Sequence, residues 1–318
     1  MDAVLGLHHI TCIAGDPQEN VDFYAGVLGL RMVKRSVNQD DPTTYHLFYA
    51  DAQGSPGTDL TFFPWPQLPP ARLGTGLAVE VALAVPEGSL GFWGERLARY
   101  GAAVHGLESA FGERRLRLED PHGLPLALVE VVERAFVPWD ESPVPADLQV
   151  RGLHGARVWE ASLVRTERFL VEVLGFVPAG EEDGWRRYTV AGGGSGCVLD
   201  VQEKPLASPG RWGVGGVHHL AWRVRDDQHQ QEVRHRVAWA GVSPTPVIDR
   251  FWFKSVYFRE PGGVLFELAT DGPGFAVDED LERLGTALVL PPWLEGERAR
   301  IEAALPRLRY PPTLEPVP

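Results

Sequence analysis

The chain has 318 residues, 44% of them hydrophobic and 23% charged, enough for two domains with cores of their own. Its 30 basic and 43 acidic side chains leave a formal charge of −13, which repels phosphate backbones and anionic lipid and removes nucleic acid and membranes from the expected partners. The two cysteines, Cys12 and Cys197, are too few for a disulfide framework or a four-cysteine zinc site and fit a reducing cytoplasm.

Residues 1–7 lack the basic start and the apolar run of roughly 7–15 residues of a secretory signal, and no apolar stretch approaches the ~20 residues of a membrane span. A soluble, cytoplasmic protein is expected. The 35 Gly and 27 Pro punctuate short segments along the whole chain, which suits many short strands.

In chain order, a strand opens at Leu7-His8 and a helix follows that ends Phe23-Tyr24-Ala25-Gly26-Val27-Leu28-Gly29-Leu30, with Gly29 where a left-handed cap needs it. Residues 78–85 read as a strand, 91–100 as a helix, and Asp120-Pro121-His122-Gly123 as a tight turn into a strand over 124–132. Residues 139–150, rich in Pro and acid, read as a linker. The pattern then repeats. Leu153-His154 opens a strand whose following helix ends Val173-Leu174-Gly175-Phe176; 217–224 reads as a strand, 228–240 as a helix, and Glu260-Pro261-Gly262-Gly263 as a turn into 264–269. Four units of strand, helix and about three strands result, at 6–64, 76–133, 151–203 and 215–271. They group into an N-terminal half (1–138) and a C-terminal half (151–275), followed by a tail (276–318) in which Leu288-Val289-Leu290-Pro291-Pro292 precedes a helix over 295–305. One helix per small sheet predicts an α+β fold whose other sheet face is free to curve around a ligand.

Two doubled histidines stand at matching places, His8-His9 opening unit one and His218-His219 opening unit four. Strand alternation groups His9 with Thr11 and Ile13, and His219 with Ala221 and Arg223, on the less bulky and therefore concave face. It sends His8 and His218 to the opposite face, displaced toward the rim by strand twist. Glu267 is the single acid of the apolar run 264–269, where an ionised carboxylate costs several kcal/mol unless it is paired with an arginine or bound to a metal. Aligning the units sets Phe62 and Ala127 at the positions matching Glu267, so the acid departs from an apolar pattern. Two imidazoles and one carboxylate form the facial triad that leaves open positions on Fe(II) for O2 and a substrate oxygen; zinc or manganese suits the same donors. In the aromatic segment 250–258, Arg250 and Tyr257 can both donate to an anionic oxygen beside a metal.

With Leu7-His8-His9-Ile10-Thr11, Val217-His218-His219-Leu220 and Leu265-Phe266-Glu267-Leu268, the repeated units resemble the vicinal oxygen chelate superfamily, and within it the dioxygenases that cleave hydroquinone rings. The resemblance implies four βαβββ modules forming two cupped mixed-sheet half-barrel pairs, units one and four sharing a metal cup and units two and three a metal-free one. The sequence agrees, since Val79-Glu80 and His154-Gly155 replace the doubled histidines there. The resemblance further implies that His9, His219 and Glu267 bind one Fe(II), that His8, Thr11, His218, Arg250 and Tyr257 surround it, and that His218 assists proton transfer. The implied activity is ring cleavage of a hydroquinone-type aromatic, substituted or chlorinated, with O2 as cosubstrate and both its atoms inserted. The expected partner is that small aromatic; association into a homo-oligomer stays open. Two other functions remain: a glyoxalase-like isomerase or lyase with four protein ligands, against which Phe62 in place of a second Glu counts, and a non-catalytic small-molecule binding protein, which leaves three aligned ligands without a purpose.

Overall fold

Sixteen strands form two eight-stranded mixed sheets in the computed structural model, which describes residues 2–316. Unit one supplies β1 (Leu7–Ala14), β2 (Arg31–Asn38), β3 (Asp41–Ala50) and β4 (Asp59–Pro64), and unit two β5 (Leu77–Pro86), β6 (Ala103–Ala110), β7 (Glu113–Glu119) and β8 (Pro125–Val131). Unit three supplies β9 (Leu153–Glu160), β10 (Val177–Glu182), β11 (Trp185–Thr189) and β12 (Val198–Glu203), and unit four β13 (Gly216–Val224), β14 (Ile248–Asp249), β15 (Lys254–Arg259) and β16 (Leu265–Thr270). The first sheet has the order β14-β15-β16-β13-β1-β4-β3-β2 and joins units one and four; the second, β10-β11-β12-β9-β5-β8-β7-β6, joins units two and three. Within each unit the first and last strands pair in parallel, and the two units of a sheet meet through antiparallel first strands. Each sheet is therefore a pseudo-two-fold pair.

The helices are α1 (Pro17–Val21), α2 (Leu90–Arg99), α3 (Leu163–Phe169), α4 (Asp227–Trp239) and α5 (Arg298–Ala304). Asp16 caps α1 by accepting from the Gln18 and Glu19 amides, with Pro17 at the first helical position. Both α1 and α3 widen into a π-turn, over Asp22–Val27 and Leu170–Leu174, and the chain leaves them through Gly29 (φ 71°) and Gly175 (φ 81°), the left-handed positions expected from the sequence. The amphipathic faces, Leu90, Trp93 and Leu97 of α2 and Val233 and Val237 of α4, join Ile10, Cys12, Val81, Leu83, Leu220 and Trp222 in one core shared by both sheets. Each such aliphatic or aromatic side chain contributes about 1.5–3 kcal/mol by burial. Among the described residues, no helix is long and apolar enough to cross a membrane.

The tail folds back over the first sheet. Phe275 and Leu284 pack with Phe48, Trp252 and Phe253, and the fully buried Lys34 ammonium holds Asp278 (2.8 Å), Glu279 and the Phe275 carbonyl (3.0 Å). The helix expected over 295–305 is shorter: Pro292–Glu297 forms a 3-10 turn and α5 starts at Arg298. Gly296, a poor helix former, lies in the turn that stays 3-10.

The second sheet's concave side holds an ion-pair network. Ala82 pairs with Ala127 as Ala221 pairs with Glu267, so Glu80 stands where His219 stands and Gly155 where His9 stands. Arg115 and Arg157 (3.6 Å) contact Glu80, Arg157 also reaches Asp200 (3.6 Å), and Arg187 forks onto Asp200 at 2.8 and 3.0 Å. These buried charges compensate one another, as their desolvation demands.

Where β9 ends, Glu160 is fully buried and neither of its carboxylate oxygens meets a donor. Its neighbour Glu260 caps the 260–263 turn, accepting from Thr166 Oγ1 (2.8 Å) and the Val264 amide (2.9 Å). Gly262 lies against the Glu160 carboxylate with no room for a Cβ. Burial first, and the Glu260 carboxylate second, push Glu160 well above the usual carboxylate range. A folded state that holds this proton more tightly than the unfolded chain is favoured most below the ordinary glutamate range and loses that advantage as pH rises toward the folded value. Glu160→Gln is therefore expected to raise the melting temperature at about pH 8 and to flatten its decline with pH; a variant with wild-type slope contradicts a proton held on Glu160 in the folded state.

Candidate metal centre

The antiparallel pairing of β1 with β13 sets His9 opposite Ala221 and Thr11 opposite His219. Its register slips twice, passing over His8 on β1 and His218 on β13. Each slip is a β-bulge, which inserts one residue and lets two neighbours face the same side. Leu7 and Ile10, like Val217 and Leu220, thus remain in the core, while both histidines of each pair turn into the cup. The His8 and His9 rings each lie 5.2 Å from Phe253. Strict alternation, which sent His8 and His218 to the opposite face, is corrected here: bulges, not twist, bring them in. The same slips recur at Val79 in β5 and His154 in β9, so the bulge belongs to the repeat.

His9 Nε2, His219 Nε2 and Glu267 Oε2 converge, with separations of 3.2 Å between the nitrogens and 3.2 and 2.9 Å from them to the carboxylate. Among the described residues this is the one group of three such side chains whose ligand atoms lie within 4.8 Å of one another. Glu267 arrives through the parallel pairing of β13 with β16. Its Oε1 accepts from Ser255 Oγ, and among the described residues Oε2 has no hydrogen-bond donor and no arginine pairs with the carboxylate. Donors about 2.1 Å from a common ion lie about 3.0 Å apart when adjacent, so the three atoms, the orphaned Glu267 Oε2 among them, fit a divalent cation. Behind them, His8 Nδ1 meets His9 Nδ1 at 2.9 Å and His218 Nδ1 meets His219 Nδ1 at 2.8 Å, fixing ring orientation from the far side.

Burial opposes ionisation of Glu267, but the two histidines facing it hold its carboxyl well below the usual range. Burial and the adjacent ligand ring push His8 and His218 each down to about 3, leaving both neutral. Burial and the Glu267 carboxylate raise Tyr257, which keeps its phenolic proton.

A cavity partly open to solvent, about 390 Å³ with the space of its open mouth counted in, lies above His9 and His219. Tyr257, opposite Glu267 in the β15–β16 ladder, packs 5.6 Å from the His219 ring. Arg250, between β14 and β15, lies 5.6 Å over Tyr257 and forks onto Asp40 at 2.8 and 3.3 Å, while Gln39 Nε2 donates to its carbonyl (2.9 Å). Thr11 Oγ1 meets Thr61 Oγ1 at 2.7 Å, and Thr61 meets His46 Nε2 at 3.0 Å. Of the residues expected at the site, His9, His219, Arg250 and Tyr257 line this cavity, while Glu267 meets the two histidines beneath it, His8 and His218 lie behind their rings and Thr11 bonds Thr61.

One alignment is corrected. Thr11 pairs with Thr61 as Ala221 pairs with Glu267, so Thr61, not Phe62, is the unit-one counterpart of Glu267; Phe62 points into the core. Nothing in Thr61-Phe62-Phe63 marks the register, which permitted a one-residue slip. A neutral hydroxyl already bonded to Thr11 and His46 still supplies no second carboxylate. His46, Asp40 and Ser255 were not singled out by sequence. For His46 the signal lay in β3, where Thr44, His46 and Phe48 alternate with Tyr45, Leu47 and Tyr49.

Residues 6–128 and 154–268 match the glyoxalase/bleomycin resistance protein/dioxygenase superfamily. The chain is 43% identical over 301 residues to "Putative ring-cleaving dioxygenase MhqO" of Bacillus subtilis, covering 95% of this chain and 96% of that one. It is 36% identical over 307 residues to a chlorohydroquinone/hydroquinone 1,2-dioxygenase of Sphingobium indicum, covering 93% and 94%. The crystal structure of a Bacillus subtilis protein described as a putative dioxygenase superposes with a TM-score of 0.93 at 41% identity, over 97% of this chain and 99% of that one. Maize glyoxalase I, at 15% identity, a TM-score of 0.62 and 84% and 92% coverage, shares the fold. By its residues, its paired sheets and these matches, the chain belongs to the glyoxalase/bleomycin resistance protein/dioxygenase superfamily.

Proposed function

We propose that the chain is a cytoplasmic, Fe(II)-dependent dioxygenase that cleaves hydroquinone-type aromatic rings, substituted ones included, with both atoms of O2 entering the product. The observation that carries this reading is the convergence of His9 Nε2, His219 Nε2 and Glu267 Oε2 beneath a cavity walled by aromatic side chains. Two imidazoles and one carboxylate leave coordination positions open, the donor set of non-haem Fe(II) oxygenases, though manganese and zinc accept it too. Bound there, the ion supplies Lewis acidity and one-electron chemistry toward O2. Relatives named as ring-cleaving and hydroquinone dioxygenases support the same reading.

The chain's own residues hold and orient. His8 and His218 steady the ligand rings through Nδ1, which leaves the His218 Nε2 edge for proton transfer. Tyr257 and Arg250 present donors to a phenolic oxygen. A catechol orients itself through two adjacent oxygens, whereas a para-hydroquinone offers one to the same ion. The remaining orientation then falls to these donors, and a misplacement of about 1 Å can cost on the order of a hundredfold in rate. A four-ligand isomerase site lacks its second carboxylate at Thr61.

Anaerobically purified protein is expected to bind roughly one iron per chain, and His9→Ala, His219→Ala, Glu267→Ala and Glu267→Gln are each expected to lose metal and O2 uptake, since an amide is a weak ligand for a divalent cation. Unchanged iron in the three alanine variants contradicts the triad. Chelators or air oxidation should silence the enzyme and Fe(II) with ascorbate restore it; full activity with zinc and indifference to O2 points to the isomerase. In an oxygen-electrode screen, hydroquinones should be consumed in preference to catechols, and Arg250→Ala should depress hydroquinone turnover by at least about tenfold. A strong catechol preference with Arg250→Ala nearly neutral overturns the substrate while leaving the metal site intact.

A further inference from the structure

His46 projects from β3 into the same cavity on the arm of the curled sheet that faces β15, with His9 and His219 between them in the strand order. Its ring is packed by Phe48 and Phe63, at centroid distances of 3.8 and 4.4 Å, and Nε2 is fixed by Thr61 Oγ1. Among the described residues Nδ1 has no hydrogen-bond partner, and it is not sealed off. Most other polar groups of the cavity are spoken for: Asp40 and Gln39 hold Arg250, and Asn38 Oδ1 accepts from the Asp40 and Asp41 amides. β3 lies two strand spacings from β1, about 9–10 Å, a gap that an aromatic ring can span.

We infer that His46 is a specificity-determining substrate contact, whose Nδ1 hydrogen-bonds the hydroxyl on the far side of a ring whose first oxygen sits at the His9, His219 and Glu267 centre. The assignment rests on the hydroquinone reading and deepens it. A para-dihydroxylated ring reaches both ends of the cavity, whereas a catechol turns both oxygens to the centre and leaves C–H at the His46 end. The Thr11–Thr61–His46 hydrogen-bond chain can run in either direction, so His46 Nδ1 can accept from the ring hydroxyl or donate to it, and the hydroxyl serves either role. A site built to bond a hydroxyl disfavours the analogue that lacks one, because its own polar atom is then left unpaired.

The test is anaerobic calorimetry of Fe(II)-loaded protein with hydroquinone and with 4-methylphenol, which puts a methyl group where the second hydroxyl was. Wild type is expected to bind hydroquinone roughly tenfold more tightly. His46→Phe, which keeps an aromatic ring between Phe48 and Phe63, should erase that preference with iron content and melting temperature unchanged, and His46→Gln, which restores a polar atom, should recover part of it. A merely structural histidine would weaken both ligands together. If wild type cleaves hydroquinones but both variants keep the full preference, the His46 assignment falls alone. If wild type cleaves catechols and not hydroquinones, the substrate reading falls and the assignment with it. Should His46→Phe fail to fold, the graded preference of His46→Gln decides.

Discussion

The centre depends on two β-bulges, one at His8 and one at His218. In a regular strand adjacent side chains diverge to opposite faces, and neighbouring histidines could not touch Nδ1 to Nδ1. The bulge turns both rings to one side, so that one histidine reaches the cup's centre while its neighbour steadies it. Because β1 and β13 are antiparallel and the bulges are symmetric across them, His9 and His219 meet over the pseudo-two-fold axis. Glu267 follows from the next ladder, where β16 pairs in parallel with β13.

The second sheet shows the same scaffold with different contents. Its bulges hold Val79 and His154, and its central acid, Glu80, is met by Arg115 and Arg157. A buried carboxylate must be compensated in either cup. In one the compensation is guanidinium; in the other, two imidazoles and an unpaired carboxylate oxygen form a donor set that could take a cation in that part. The cup that holds the triad is also covered by elements far apart in sequence: the β2–β3 turn clasps Arg250 through Gln39 and Asp40, and the tail is pinned by Lys34. A buried ammonium with three oxygen partners is costly to free, which favours a fixed wall there over a mobile one.

Much of this was legible in the residues. The four-unit repeat, the glycines ending α1 and α3, the acid-Pro turns before β8 and β16, and the doubled histidines follow from local chemistry that leaves a sequence signature. Glu267 stood out because a lone acid in an apolar strand demands a partner. What the sequence hid was register. A bulge adds one residue without any marker, so alternation misplaced His8 and His218, and the same uncertainty shifted Thr61 to Phe62. The alternation in β3 marks which face His46 takes, but that this face and Asp40 meet unit four arises only when β3 and the β2–β3 turn curl back, a long-range consequence of sheet closure.

The most direct measurement is anomalous diffraction at the iron edge from crystals of anaerobically loaded protein. One strong peak is predicted, at roughly 2 Å from His9 Nε2, His219 Nε2 and a Glu267 carboxylate oxygen, with no protein atom in the remaining positions and no second peak in the cup of β5 and β9. A peak elsewhere, or a fourth protein ligand at this centre, would contradict the account.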